Sequence, residues 1–194
     1  MNASDPLALF REWFAAAQAS GLELPEAMTL ATAGAQGAPS ARTVLLKGLD
    51  ERGFSFFTNY ESRKGRELAE NPRAALVFHW AQEPRRQVLV TGRVARLPEE
   101  ESDDYFRTRP LGSRLATWAS RQSAPIASRD ELERAFAEAD ERYDDHEPDR
   151  PPYWGGYVLE PETIEFWESR PNRLHDRVRY SRDRDGWKRE VLAP

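Results

Sequence analysis

The stretch from residue 27 to residue 59, AMTLATAGAQGAPSARTVLLKGLDERGFSFFTN, decides the fold. Its short apolar or alternating runs, AMTLATA, ARTVLLKGL and FSFFTN, are cut by GAQGAPS and DERG, which are rich in turn formers. Runs of that length between turns specify strands that fold back on one another, so the segment reads as an antiparallel meander. Strand character returns in RAALVFHW (73–80), RRQVLVTGRVARL (85–97), YVLEPETIEFW (157–167), RLHDRVRYS (173–181) and WKREVLA (187–193), with RDRDG (182–186) as the hairpin turn between the last two.

Helices are inserted between these strands. Asp5 and Pro6 form a start signal, Leu7, Phe10, Trp13, Phe14 and Ala17 follow at helical spacing, and Gly21 is the stop. SRKGRELAE (62–70) predicts a helix that ends before Asn71 and Pro72. Pro98 opens another through residue 109, which Pro110 ends. Ser113 is expected to cap a short helix reaching Ser120, and Ser128 with Glu131 forms a capping box for one running to about Tyr143. DDHEPDRPPYWGG (144–156) reads as a loop. The expected fold class is mainly β and antiparallel, a small barrel with helices packed outside it, in a single domain over residues 1–194.

Of 194 residues, 39% are hydrophobic and 31% charged, and 28 basic against 33 acidic side chains leave a net charge of -5. A chain of this size buries about 70% of its unfolded surface and needs no disulfide or structural metal to hold a core. It has no cysteine, which excludes thiol nucleophiles and Cys-ligated metals, and its three histidines, His79, His146 and His175, lack metal-ligand spacing. An acidic total charge argues against nucleic-acid binding, and no apolar run approaches the roughly 18 residues of a membrane span. With no signal peptide in MNASDPLALF, the expectation is a soluble, cytoplasmic protein.

No GxGxxG, Walker loop, GxSxG elbow or HExxH occurs, and the remaining candidates are cationic and aromatic. On a strand through RPNRLHDRVRY (170–180), Arg173, His175 and Arg177 share one face, and Leu174, Asp176 and Val178 take the other. Such a face either meets something anionic or electron-rich, or is a solvated edge paired with acidic neighbours. Tyr105 and Arg109, four apart on a helix, with Ser113 at the next helix start, suit a phosphate; they equally describe a core tyrosine, a surface charge and a cap. Arg42 opens a strand that Lys47 closes on the opposite face, while Thr58, Ser62, Arg63 and Lys64 gather at a strand-to-helix turn that suits a phosphate monoester or is an ordinary basic helix start. Gln87 and Gln122, in RQV and RQS, could serve a flat heterocycle or be polar surface. Two phosphate-like sites and few acid/base groups favour a cofactor enzyme over unaided side-chain catalysis.

IEFWESRPNRLHDR (164–177) resembles the signature of the pyridoxamine (pyridoxine) 5'-phosphate oxidase family, and the resemblance continues through GWKREVLAP. RTVLLK, FFTNYESRKG, RQV, YFRTRPLGS and RQSAPIAS occur in that family's order, so the likeness covers residues 5–194. It implies an FMN-binding split β-barrel, a homodimer with FMN at the interface, and oxidation of pyridoxamine or pyridoxine 5'-phosphate to the aldehyde, with O2 as acceptor and hydrogen peroxide as by-product. The flavin contacts it implies are Arg42, Thr43, Val44, Leu45, Leu46 and Lys47, then Phe57, Thr58, Arg63 and Lys64, and then Gln87, Gln122, Ser123, Trp167 and Arg177. The substrate phosphate is expected at Lys47, Tyr105, Arg109 and Ser113, the substrate ring beside Leu174, and Arg173 with His175 in catalysis. Glu168 stands where the family usually has Gln, His or Gly, and the first helix begins without the longer leading segment of some members. Another split-barrel flavoprotein, such as an FMN reductase, has no reason to keep the substrate set together. A carrier of pyridoxal phosphate would bind the aldehyde without consuming oxygen.

Overall fold

The computed structural model describes residues 4–184 and 186–194. In chain order it contains α1 (Pro6–Ala19), β1 (Ala27–Ala33), β2 (Pro39–Leu45), β3 (Gly48–Leu49), β4 (Phe54–Asn59), α2 (Arg63–Glu70), β5 (Arg73–Trp80) and β6 (Arg86–Arg96). Then come α3 (Glu99–Thr108), α4 (Leu111–Ala119), α5 (Arg129–Arg142), β7 (Trp154–Glu168), a 3-10 turn (Pro171–Arg173), β8 (Asp176–Asp183) and β9 (Gly186–Val191). The strands are antiparallel in the order β2-β1-β5-β6-β7-β4-β3, with β8 added to β7 and β9 to β8. The expected mainly β, antiparallel class with helices packed against the sheet is what the structure has.

The helix starts follow their side chains. Asp5 accepts a hydrogen bond from the Leu7 N–H, Ser62 from the Gly65 N–H and Ser128 from the Glu131 N–H. In the last, the expected capping box forms only in part, because the Glu131 carboxylate accepts from the N–H of Ala127, the residue before the cap, 2.8 Å away. α1 carries Phe10 into the open side of the curved sheet, where its ring meets Phe54 and Phe78 edge-on at 4.9 Å each. All three are fully buried, and each contributes about 1.5 to 3 kcal/mol by leaving water.

β7 makes two ladders in succession. Residues 154–159 pair with β4 and complete the barrel wall, while residues 163–168 pair with β8 in the C-terminal hairpin. A bulge opposite Thr91 and Gly92 separates the halves and turns the strand between them. A Cβ on Gly92 would stand 1.9 Å from the Glu160 carbonyl oxygen. Gly92→Ala is therefore expected to cost roughly 2 to 4 kcal/mol, read as a lowered urea midpoint with unchanged m-value.

Four local expectations are corrected. β8 starts at Asp176, not Arg173, because Pro171 begins a 3-10 turn and Asn172 and Arg173 take left-handed φ of 59° and 63°. Arg173 and His175 therefore do not share a strand face with Arg177. Arg42 lies inside β2 rather than opening it, and Lys47 falls beyond its end, where its N–H donates to the Ser55 carbonyl. Ser113 is the third residue of α4, not its cap; Pro110 occupies that place and accepts from the Ser113 N–H. Trp154, Gly155 and Gly156, read as loop, begin β7. The 182–186 hairpin turn includes Asp185, which lies outside the described residues.

Candidate active site

β2 is the last strand of its side of the sheet, so its outer main-chain groups have no strand partner among the described residues. Beside that edge, β4, the first turn of α2 and the elbow between α3 and α4 enclose a cleft of about 440 Å³. Thr43, Val44, Leu45, Lys47, Phe57, Thr58, Lys64, Tyr105, Arg109, Ser113, Gln122 and Trp154 line it. Residues far apart in sequence, from the two expected phosphate positions, thus meet in one space.

Two cations of the cleft, Lys64 and Arg109, are held differently. Lys64 is 7% exposed, and its ammonium donates to Thr58 Oγ1 at 3.1 Å, Ser62 Oγ at 3.3 Å and Gln122 Oε1 at 3.0 Å. All three acceptors are neutral. Burial, helped by repulsion from Arg42 and opposed by Glu67, brings its pKa down from 10.5 to about 8.

Arg109 lies half-buried, its guanidinium 4.6 Å above the Trp154 ring and 5.5 Å from that of Phe106. Burial and the nearby Arg114 draw its pKa down from the ordinary guanidinium value, against an opposing pull from Tyr105. Its side chain makes one hydrogen bond among the described residues, Nη1 to Thr117 Oγ1 at 2.8 Å. Among the described residues, neither Lys64 nor Arg109 comes within ion-pairing distance of a carboxylate, and nor does Lys47. Tyr105 is fixed by stacking on Phe57, with ring centroids 3.9 Å apart, and Phe57 stacks in turn on Trp154 at 5.6 Å.

Other expected flavin contacts point elsewhere. The Arg42 guanidinium donates to Thr32, Ser40, the Leu30 carbonyl and Glu67. Arg63, exposed, pairs with Glu67 at 2.9 Å along the helix. Burial pushes the Glu67 carboxyl up, but hydrogen bonds from Ser40, Thr32, Arg63 and Arg42 outweigh it and hold it at about 2. Leu46 faces the core at 7% exposure, and Ser123 borders a separate hollow between α4 and α5.

The C-terminal set forms a second group, and none of it lines the cleft. Gln87, Trp167 and Arg177 are cross-strand neighbours on β6, β7 and β8. Arg177 is held by Glu165 at 2.7 Å. His175 packs 4.6 Å from the Trp167 ring, and its Nδ1 accepts the Arg170 N–H at 3.1 Å, which leaves Nε2 to carry the ring proton. Glu168 anchors this region: buried at 8% exposure, it binds Arg86 at 2.8 Å and Arg170 at 2.9 Å, and Arg170 also holds Asp176 at 2.6 Å. Arg173 and Leu174 are exposed, Leu174 at 68%. Trp154 and Thr117 were not singled out by sequence; aromatic residues and helix-interior threonines carry no signal of this role.

An antiparallel barrel left open beside a cleft that holds two cations without a carboxylate partner among the described residues defines a class of split barrels. Residues 14–143 match the family described as pyridoxamine 5'-phosphate oxidase, and residues 154–194 match the pyridoxine 5'-phosphate oxidase C-terminal dimerisation region. The pyridoxine/pyridoxamine 5'-phosphate oxidase of Rubrobacter xylanophilus is 57% identical over 190 residues, 98% of this chain and 87% of that protein. Its namesake from Burkholderia lata is 57% identical over 195 residues, 99% of this chain and 90% of the relative. Among solved structures, PhzG from Burkholderia lata, in complex with tetrahydrophenazine-1-carboxylic acid, has a TM-score of 0.93 at 35% identity, over 100% of this chain and 94% of the other. A pyridoxamine 5'-phosphate oxidase-related, FMN binding protein from Nostoc punctiforme shares the fold, with a TM-score of 0.76 at 19% identity over 98% of each chain. The chain belongs to the pyridoxamine 5'-phosphate oxidase family, and its fold is the split barrel of that family.

Proposed function

We propose that this protein oxidises pyridoxamine 5'-phosphate and pyridoxine 5'-phosphate to pyridoxal 5'-phosphate, with FMN as cofactor and O2 as acceptor. The observation that carries this reading is a pair of cations, Lys64 and Arg109, that line one cleft and have no carboxylate partner among the described residues. Two phosphorylated ligands, cofactor and substrate, account for both. The donor set fits FMN: Lys64 meets only neutral oxygens, so a phosphate monoester supplies the missing counter-charge, and the open edge of β2 with Gln122 offers main-chain and amide groups to a flat heterocycle. When bound, FMN supplies a two-electron acceptor that oxygen regenerates.

The chain's own residues do the positioning. Arg109, Lys47, Ser113 and Tyr105 hold the substrate phosphate in this reading, and Trp154 supports the Arg109 guanidinium from below. Arg173 and His175 orient the pyridine ring, with the His175 Nε2–H as a fixed donor. Since these two residues do not line their own chain's cleft and residues 154–194 match a dimerisation region, the site is completed by a second subunit in a homodimer.

The test is to load the purified protein with FMN, supply each phosphorylated vitamer, and follow oxygen uptake with aldehyde formation. Stoichiometric uptake and aldehyde are expected. Aldehyde binding without oxygen consumption would make it a carrier instead. Oxidation of a tetrahydrophenazine carboxylate but of neither vitamer would shift the assignment toward the ligand in the PhzG structure.

A further inference from the structure

We propose that Thr117 is a positioning residue for the anion-binding end of the cleft, holding Arg109 in the orientation that receives the substrate phosphate. The inference rests on the reading of that end as a phosphate site. Arg109 follows the last residue of α3, at the elbow made by Pro110, and its side chain reaches across the start of α4 to Thr117. Thr117, 9% exposed, donates its own hydroxyl hydrogen to the Ser113 carbonyl at 2.9 Å. That bond commits the hydrogen, so toward Arg109 the oxygen acts only as an acceptor, at 2.8 Å from Nη1.

The Trp154 face fixes the height of the guanidinium but leaves it free to slide and turn in its own plane. Thr117 is the one protein acceptor that removes this freedom, and the other N–H groups of Arg109 find none among the described residues. An arginine side chain otherwise carries rotamer entropy that the ligand must overcome, and a guanidinium already set in place spends less of its binding energy on ordering. The same hydrogen bond ties Arg109 to the helix turn that carries Ser113, so two of the expected phosphate ligands move as one unit.

The test uses the FMN-loaded protein with Thr117→Val, which keeps the shape and removes the hydroxyl, and Thr117→Ser, which restores it. Thr117→Val is expected to raise both the KM for pyridoxine 5'-phosphate and the inhibition constant of inorganic phosphate by about five- to twentyfold, with kcat and FMN affinity changed by less than about threefold. Thr117→Ser is expected to return both constants to near wild type; should the valine variant not fold, Thr117→Ala replaces it. Arg109→Leu serves as the control. If Arg109→Leu raises both constants and Thr117→Val raises neither, the positioning role is wrong while the phosphate site stands. If Arg109→Leu leaves both unchanged, the reading of the cleft falls and this inference with it. A loss in Thr117→Val that serine does not rescue, or one confined to kcat or FMN affinity, also overturns it, since a merely structural threonine behaves that way.

Discussion

Mixing two weakly active variants is expected to restore activity. Arg109→Leu and Arg173→Leu each remove a charged hydrogen-bond donor worth about 1.5 to 3 kcal/mol, so each homodimer is expected to lose roughly ten- to a hundredfold in kcat/KM while still binding FMN. Arg109 lines the cleft of its own chain and Arg173 does not. In a two-fold dimer whose sites each combine one chain's cleft with the other's C-terminal turn, a heterodimer of the two variants has one site with both defects and one with neither. Random reassociation makes half the dimers heterodimers, so about a quarter of wild-type turnover should return. A site built within one chain would leave every subunit defective, and mixing would restore nothing.

Lys64→Met is expected to lower FMN affinity by about ten- to a hundredfold while leaving the fold intact, because it removes a charge whose partners among the described residues are neutral oxygens. Fluorescence quenching of FMN measures it. The pH dependence gives a second reading. Lys64 has its pKa lowered to about 8, so above that pH the cofactor-free side chain is mostly neutral and must take up a proton to meet a phosphate. FMN affinity should therefore fall on the order of tenfold from pH 7.5 to 9.5 in the wild type, a dependence that Lys64→Met lacks. The linked stability runs the other way. Between about pH 8 and 10.5 the folded cofactor-free chain binds fewer protons at Lys64 than the unfolded chain does, so this group's contribution rises with pH. Opposite trends in affinity and stability separate titration of this lysine from general alkaline unfolding.

Local signals carried most of the fold. The Asp5, Ser62 and Ser128 caps act within a few residues, and alternation with turn residues marked β1, β2 and β4. The set 173, 175 and 177 failed because period-two alternation holds only where φ stays extended, and Asn172 and Arg173 do not. Arg63 and Lys64 were paired as cations of one turn, yet neighbours on a helix point about 100° apart, so one entered the cleft and the other met Glu67. Trp154 and Thr117 reach Arg109 only because the elbow at Pro110 redirects the chain. The separation of the C-terminal set from the cleft is likewise a property of topology, which motif order along one chain does not encode.

Arg173 pays for its place in the backbone. At φ 63° a residue with a Cβ crowds the carbonyl that follows it, at a cost of roughly 1 to 2 kcal/mol that glycine avoids. The turn nevertheless presents a guanidinium there, exposed and outside any regular ladder, beside a histidine whose proton is assigned by the main chain. On the role proposed for Arg173, conformational comfort and chemical use oppose each other at this residue. Selection for a more robust polypeptide would drift toward glycine at position 173, and, given the catalytic role proposed for it, selection for turnover would hold arginine against that drift.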